Sequence, residues 1–427
     1  MLWALLLGVL LFIGFPFILN ILGTLMLYLK INLPMLDPKI LVQQIVTGIS
    51  PPALVCVPLY ILGAEIIIHG ETGKKLARMI MSWLGHLPGG IPVSSSVACT
   101  VFGAVSGSAQ ATLAAIGGTF RPILLRAGYP SSFTFGLILN SAEIALLIPP
   151  SVILIVYGVI TGTSIGKLYM AGIVPGVILC ILFCAYSIIY SRVKKIGYTE
   201  QKASWQERME SVKEGIWVFG YPVIIIGGIY AGIFSPTEAA AAAVLYALLV
   251  EWLVYRALSI KTIFNAALAT GVVTGVVFIL VGAGQVASWL ISFLKLPDKI
   301  LPVLLGTQPS YLKVIIAINL AYLVACMLVD GLVAMYILTP IFAKYVAMVG
   351  IDPLLLGIIV TTQVAMGTIT PPFGCDIFTA QVIFRRPYLE IIAHIWPFLL
   401  MTLMMIVVLI MFPQLCLFLP NAMLGGH

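Results

Sequence analysis

Residues 139–158 read LNSAEIALLIPPSVILIVYG, and residues 361–380 read TTQVAMGTITPPFGCDIFTA. Set one above the other, their double prolines Pro149-Pro150 and Pro371-Pro372 fall in register. Proline lacks the amide hydrogen that a helix needs, and its ring clashes with the preceding turn. Each pair therefore breaks a segment otherwise apolar enough to cross a bilayer, at about 131–160 and 353–381. Non-helical backbone at that depth is tolerated only where protein or a polar cavity satisfies it.

Working outward, each broken segment follows an apolar stretch that is itself interrupted in the middle. The stretch at 92–118 breaks at Ser106-Gly107-Ser108, and that at 313–345 breaks at Asp330-Gly331. Two half-length helices around such a break fit a re-entrant hairpin. Leu62-Gly63-Ala64 and Val281-Gly282-Ala283 also correspond, each ahead of its hairpin. An additional span near 215–234 separates the halves and inverts one relative to the other. The expected fold is an all-α polytopic membrane protein of two inverted repeats, 1–190 and 236–427. Residues 191–235 supply a linker and the connecting span. Matched, proline-interrupted segments in inverted halves point to the binding site of a secondary transporter.

Composition agrees. Of 427 residues, 61% are hydrophobic and 9% charged, against about 45–50% and ~25% in soluble domains. Further spans are expected near 52–69, 168–190, 237–256, 263–284 and 389–412, with Met1 to Leu29 as a retained first span. The seven cysteines form no CxxC or disulfide framework and read as small apolar residues. The segment from Ser191 to Glu214 mixes acids and bases and reads as a solvated helix or linker. With it in the cytoplasm, 15 of the 22 basic residues fall inside and seven outside, as the positive-inside rule requires. The N-terminus is then cytoplasmic and the C-terminus external.

The interruptions carry the candidate chemistry. Ser106 and Ser108 offer hydroxyls and freed carbonyls to Na⁺, or amide hydrogens to an anion. The alternative is a small-residue helix contact. Asn140, Ser141 and the carbonyls before Pro149 are the facing group. In the second half, Asp330-Gly331 faces Gly367, Thr368 and Thr370. Asp330 is either a functional acid at membrane depth or a helix cap. Glu143 has three readings: proton coupling, pairing with a cation, and capping the break. Glu238 follows Ser235-Pro236-Thr237 and reads as a helix-start residue. No HExxH zinc motif, recognisable nucleophile and base, or phosphate-binding loop is present, so enzyme and ATPase readings fall away.

At these residues the chain resembles the large (DctM-type) membrane subunit of tripartite ATP-independent periplasmic (TRAP) transporters. The resemblance rests on PLYILGAE at 58–65, FGAVSGSAQATLAAIG at 102–117, IPPS at 148–151, SPTEAAA at 235–241, LTPI at 338–341 and GTITPPFG at 367–374. It covers nearly the whole chain. It implies an elevator-type, sodium-driven importer of the bacterial inner membrane. Its partners would be a periplasmic solute-binding protein, which delivers a small organic anion, and a small four-helix membrane subunit. One sodium site would map to Ser106, Ser108, Ala145, Ile148 and Pro149, and a second to Gly331, Gly367 and Thr370. Substrate would lie between the tips, near Ser108, Gln110, Asp330, Gly331 and Asp376. The sequence departs from the family pattern at Glu143, where small residues are usual, and at Asp376, where Asn is common. A stand-alone sodium- or proton-coupled anion symporter is the alternative.

Overall fold

The computed structural model describes residues 9, 10, 13, 17–197, 202–306 and 308–424. Every regular element among them is helical. Most of the expected first span before Phe17 lies outside the described residues; Phe17–Asn32 is a helix. Seven helices among the described residues are long and apolar enough to cross a membrane: Pro52–His69, Ile165–Lys194, Trp205–Tyr230, Pro236–Val254, Ile260–Phe293, Tyr311–Leu328 and Gly331–Val349.

Both proline pairs break their helices. The first broken segment runs Ser131–Glu143, a tight turn at Ile144–Leu146, and then Val152–Thr161. The second runs Pro353–Gly367 and resumes at Cys375–Phe384. Pro149-Pro150 and Pro371-Pro372 are both cis.

Both hairpins are present, but their arms are longer than expected. The first has arms Gly90–Ser106 and Ala109–Thr112, the latter continuing through Leu113–Gly117 into Gly118–Arg126. It therefore overruns 92–118 at both ends. Within that overrun, the Arg121 guanidinium lies 4.8 Å over the Phe135 ring. Such cation–π contact lets a charged residue lie within the fold. The second hairpin has arms Tyr311–Leu328 and Gly331–Val349, each long enough for a crossing. The half-length helices expected over 313–345 are thus corrected to full-length arms joined by a two-residue turn.

The polar segment at 191–214 is also more structured than a linker. The long helix continues to Lys194, and Trp205–Gly215 packs along Thr72–Leu84, a helix the apolar pattern did not disclose. Both are amphipathic: Leu76, Ile80, Ser211 and Gly215 are buried. Lys75 and Arg78 both reach Glu214, at 3.0 and 2.9 Å. Near the C-terminus, the expected span 389–412 begins as a short helix, Tyr388–Ile392. Trp396–Met411 follows, and Pro413 then turns the chain by 62° into Gln414–Met423.

The halves interlock. Each hairpin packs against the broken segment of its own half. Beyond its break, each segment reaches the other half: Val152–Thr161 lies against Gly331–Val349, and Cys375–Phe384 lies against Ala109–Thr112. Ile260–Phe293 runs along Lys39–Ile49, Cys56–His69 and Gly331–Val349. Lipid tails are as apolar as leucine, so packing and interhelical hydrogen bonds hold such helices together, typically at ~0.6 kcal/mol per bond. Ser141 Oγ donates to Ser96 Oγ at 3.0 Å, Tyr157 Oη to the Pro353 carbonyl at 2.9 Å, and Tyr60 Oη to the Pro236 carbonyl at 3.1 Å.

Candidate functional site

The first tip is built by local chemistry. Gly90–Ser106 ends at Gly107, whose φ of +62° suits glycine. A Cβ at Gly107 would also sit 2.3 Å from the Pro150 carbonyl oxygen, so the tip is seated on the first break. Ser108 caps the next arm, its Oγ accepting the Ala111 N–H at 3.3 Å. Ser106 Oγ is buried and lies 3.0 Å from Thr112 Oγ1; Thr112 in turn donates to the Ser108 carbonyl at 2.9 Å. Thr112 went unnoticed in the sequence, although it stands one helical turn beyond Ser108.

Across from this tip, Ala145 touches the first arm: a Cβ at Gly103 would lie 2.8 Å from Ala145 Cα. Pro149 and Pro150 cannot donate to the carbonyls of Ala145 and Leu146, four residues back. Ile148 is buried beside them. Hydroxyls and undonated carbonyls are hard oxygen ligands, and the set suits a cation such as Na⁺.

The second tip differs in its chemistry. Asp330 Oδ1 accepts the Leu332 N–H at 2.8 Å and caps Gly331–Val349, the capping role left open by the sequence. Gly331 packs against Val364, and Gly367 against Cys326, where a Cβ would fall 2.4 Å from Cys326 Cβ. Thr370 Oγ1 donates to the Met366 carbonyl at 2.6 Å. Its lone pairs stay available. The Gly367 and Thr368 carbonyls, deprived of helical donors by Pro371 and Pro372, accept instead from Thr370 and Asp376 N–H at 3.0 Å each.

Between the tips a polar chain crosses from one half to the other. Ser108 Oγ donates to Gln110 Oε1 at 3.1 Å, and Gln110 Nε2 donates to Asp376 Oδ1 at 2.6 Å. Asp376 lies close enough to Glu143 to act on it electrostatically. Thr368 Oγ1 donates to Glu143 Oε2 at 3.3 Å. Asp376 Oδ2 is buried with no donor. Asp330 lies close enough to act on Asp376 electrostatically. Among the described residues, no basic side chain forms an ion pair with any of these three acids. Asn140 is not part of this chain. It donates to the Gly136 carbonyl at 2.8 Å, and it lines a cavity of about 10 Å³ with Glu143, Leu179, Phe183 and Thr402. That cavity is the size of one water molecule. Ser141 turns to the hairpin arm, through Ser96.

The family model for the DctM component of the tripartite ATP-independent periplasmic transporter matches residues 1–415. The chain belongs to the DctM family. The ectoine TRAP transporter large permease protein TeaC of Halomonas elongata is 49% identical over 415 residues, covering 96% of each chain. The ectoine/5-hydroxyectoine large permease protein UehC of Ruegeria pomeroyi is 47% identical over 412 residues, again 96% of each. The 2,3-diketo-L-gulonate large permease protein YiaN of Escherichia coli is 34% identical over 384 residues, 90% of each. The solved structure of the Alcanivorax borkumensis YdaH transporter matches over 88% of each chain, at a TM-score of 0.48 and 15% identity. These DctM relatives are permease subunits, and the apolar helices of this chain suit the same multi-pass membrane placement.

Proposed function

We propose that the chain is the translocating subunit of a sodium-coupled importer of a small carboxylate-bearing solute. A periplasmic binding protein delivers the solute, and a small four-helix subunit completes the complex in the inner membrane. The observation that carries this reading is the seating of each hairpin on its broken helix, with Gly107 on Pro150 and Gly367 on Cys326. Each seat gathers hydroxyl and carbonyl oxygens suited to Na⁺: Ser106, Ser108, Ala145, Ile148 and Pro149 in the first half, and Gly331, Gly367 and Thr370 in the second. The two hairpins with their broken helices form the moving unit of an elevator, and the remaining spans form its scaffold. The names of the two relatives at 49% and 47% identity make ectoine a candidate cargo.

The test is uptake into liposomes holding the complete complex. Uptake should need both an inward Na⁺ gradient and the binding protein. Equal uptake after choline replaces Na⁺, at fixed pH and voltage, refutes sodium coupling. Uptake of free solute without the binding protein favours the stand-alone symporter.

A further inference from the structure

Building on the ectoine-type reading of the cargo, we propose that Glu143 and Asp376 together receive the cationic group of a zwitterionic solute, an amidinium or ammonium carried beside a carboxylate. The two side chains come from the two broken segments and are only 4% and 2% exposed. Gln110 ties Asp376 to the first tip and Thr368 ties Glu143 to the second break, while Asp376 Oδ2 has no hydrogen-bond partner. Buried carboxylate oxygens without a positive partner are open acceptors for a cationic group that brings its own N–H donors. No Lys, Arg or His among the described residues fills that role. An exclusively anionic cargo would be repelled here.

The occupied positions show what kind of group fits. Gln110 Nε2 reaches Asp376 Oδ1 at 2.6 Å, and Thr368 Oγ1 reaches Glu143 Oε2 at 3.3 Å. Both donors are neutral hydrogen-bond groups. An amidinium presents two N–H groups in one plane, and opposed carboxylates can accept both with charge assistance. Gln110 is exposed while Asp376 beneath it is buried, so displacing one amide side chain uncovers the acid. Among the described residues no three His, Cys, Asp or Glu side chains converge as a transition-metal centre needs. Asp330 is already committed to the Leu332 N–H.

The probe is ectoine, whose ring is an amidinium bearing a carboxylate. Pyroglutamate, a ring carboxylate without the cation, is the comparison. In liposomes holding the complete complex, ectoine should be taken up in preference. Glu143→Gln and Asp376→Asn should each raise its KM tenfold or more, with half-saturating Na⁺ held within twofold. An unchanged KM with a tenfold Na⁺ shift overturns the proposal and assigns the pair to sodium. An unchanged KM with a displaced pH profile overturns it in favour of a shared proton. The binding protein also selects solutes, so heat protection is measured on the two membrane subunits alone. Ectoine should protect the parent where pyroglutamate does not, a result that stands even if a variant fails to assemble. Better protection by pyroglutamate sinks the inference, while Na⁺- and binding-protein-dependent uptake would leave the importer reading intact.

Discussion

Glu251 caps a helix that begins 179 positions earlier at Thr72: its Oε1 accepts the Thr72 N–H at 2.9 Å, and its Oε2 accepts the Glu71 N–H at the same distance. The first amides of a helix have no partner within it. Here a fully buried carboxylate from a distant helix supplies one. A Cβ at Gly70 would lie 2.1 Å from the Glu251 carboxyl carbon, so the fit depends on glycine there.

Glu251→Ala strands two amides and should cost about 1–2 kcal/mol, the usual loss for a cap. Glu251→Gln keeps an acceptor and should cost less. Gly70→Ala should imitate the alanine variant by pushing the carboxylate away. Thermal unfolding in detergent gives the order: Ala and Gly70→Ala lowest, Gln between, parent highest. A Glu251→Ala midpoint equal to the parent's removes the cap as a source of stability.

The Asp298–Lys344 pair should behave differently. Lys344 Nζ reaches Asp298 Oδ1 at 2.5 Å, both side chains being largely exposed. The Lys344 hydrogen bond and charge hold the Asp298 carboxyl below its ordinary range. A depressed carboxyl helps above its unfolded value and loses that help as pH falls through the folded one. The contribution is therefore present at neutral pH and disappears below about 4. Exposed pairs add little, so Asp298→Asn at pH 7 should leave the unfolding midpoint indistinguishable from the parent's. A clear drop at neutral pH would show that the pair contributes more than an exposed pair does.

Gly367→Ala should separate the second break from its hairpin, because the new methyl would meet Cys326 Cβ at 2.4 Å. Transport should fall at least tenfold. Adding Cys326→Gly makes room, and partial recovery in the double variant is the expected result. A double variant no better than the single one means that the contact is not what Gly367 serves.

Ser106→Ala and Thr370→Ala remove one hydroxyl each. If each ligates Na⁺, half-saturating Na⁺ should rise about tenfold, equivalent to ~1.4 kcal/mol, with near-normal expression. Sodium-dependent protection against heat should shrink in both. If both variants keep the parent's protection, side-chain coordination is wrong and the carbonyls of the breaks remain.

Orientation is open to a direct check. In a background without the seven native cysteines, single cysteines at positions 202 and 299 should label from opposite faces, 202 from the cytoplasm and 299 from the periplasm. Labelling of both from one side breaks the inverted arrangement.

The features readable in the sequence are those decided by local chemistry. Pro-Pro cannot continue a helix, and both breaks stand where the prolines are. Ser235 and Glu238 form a capping box, with hydrogen bonds of 2.8 and 3.3 Å, as a Ser-Pro-Thr-Glu opening implies. Distant partners were not readable. Nothing in the run around Glu251 names Thr72, and nothing around Glu143 names Asp376. The apolar run set the end of the first hairpin at 118, but the helix continues to Arg126, with Arg121 over the Phe135 ring. Over 191–214 mixed charge left a solvated helix and a linker both open, and Trp205–Gly215 is the helix, with one face buried.

The helix Ile260–Phe293 has 34 residues, roughly 51 Å at 1.5 Å per residue, while the hydrocarbon core of a bilayer is about 30 Å thick. After Lys261 it carries no charge to mark where lipid should end. Such a mismatch is absorbed by leaning or by stretching the surrounding lipid. The arm Gly331–Val349 lies along this helix and begins at the Asp330 cap, so the lean is handed directly to the second tip. A change in acyl-chain length that alters this lean is expected to shift the arm packed along the helix, with no ligand bound.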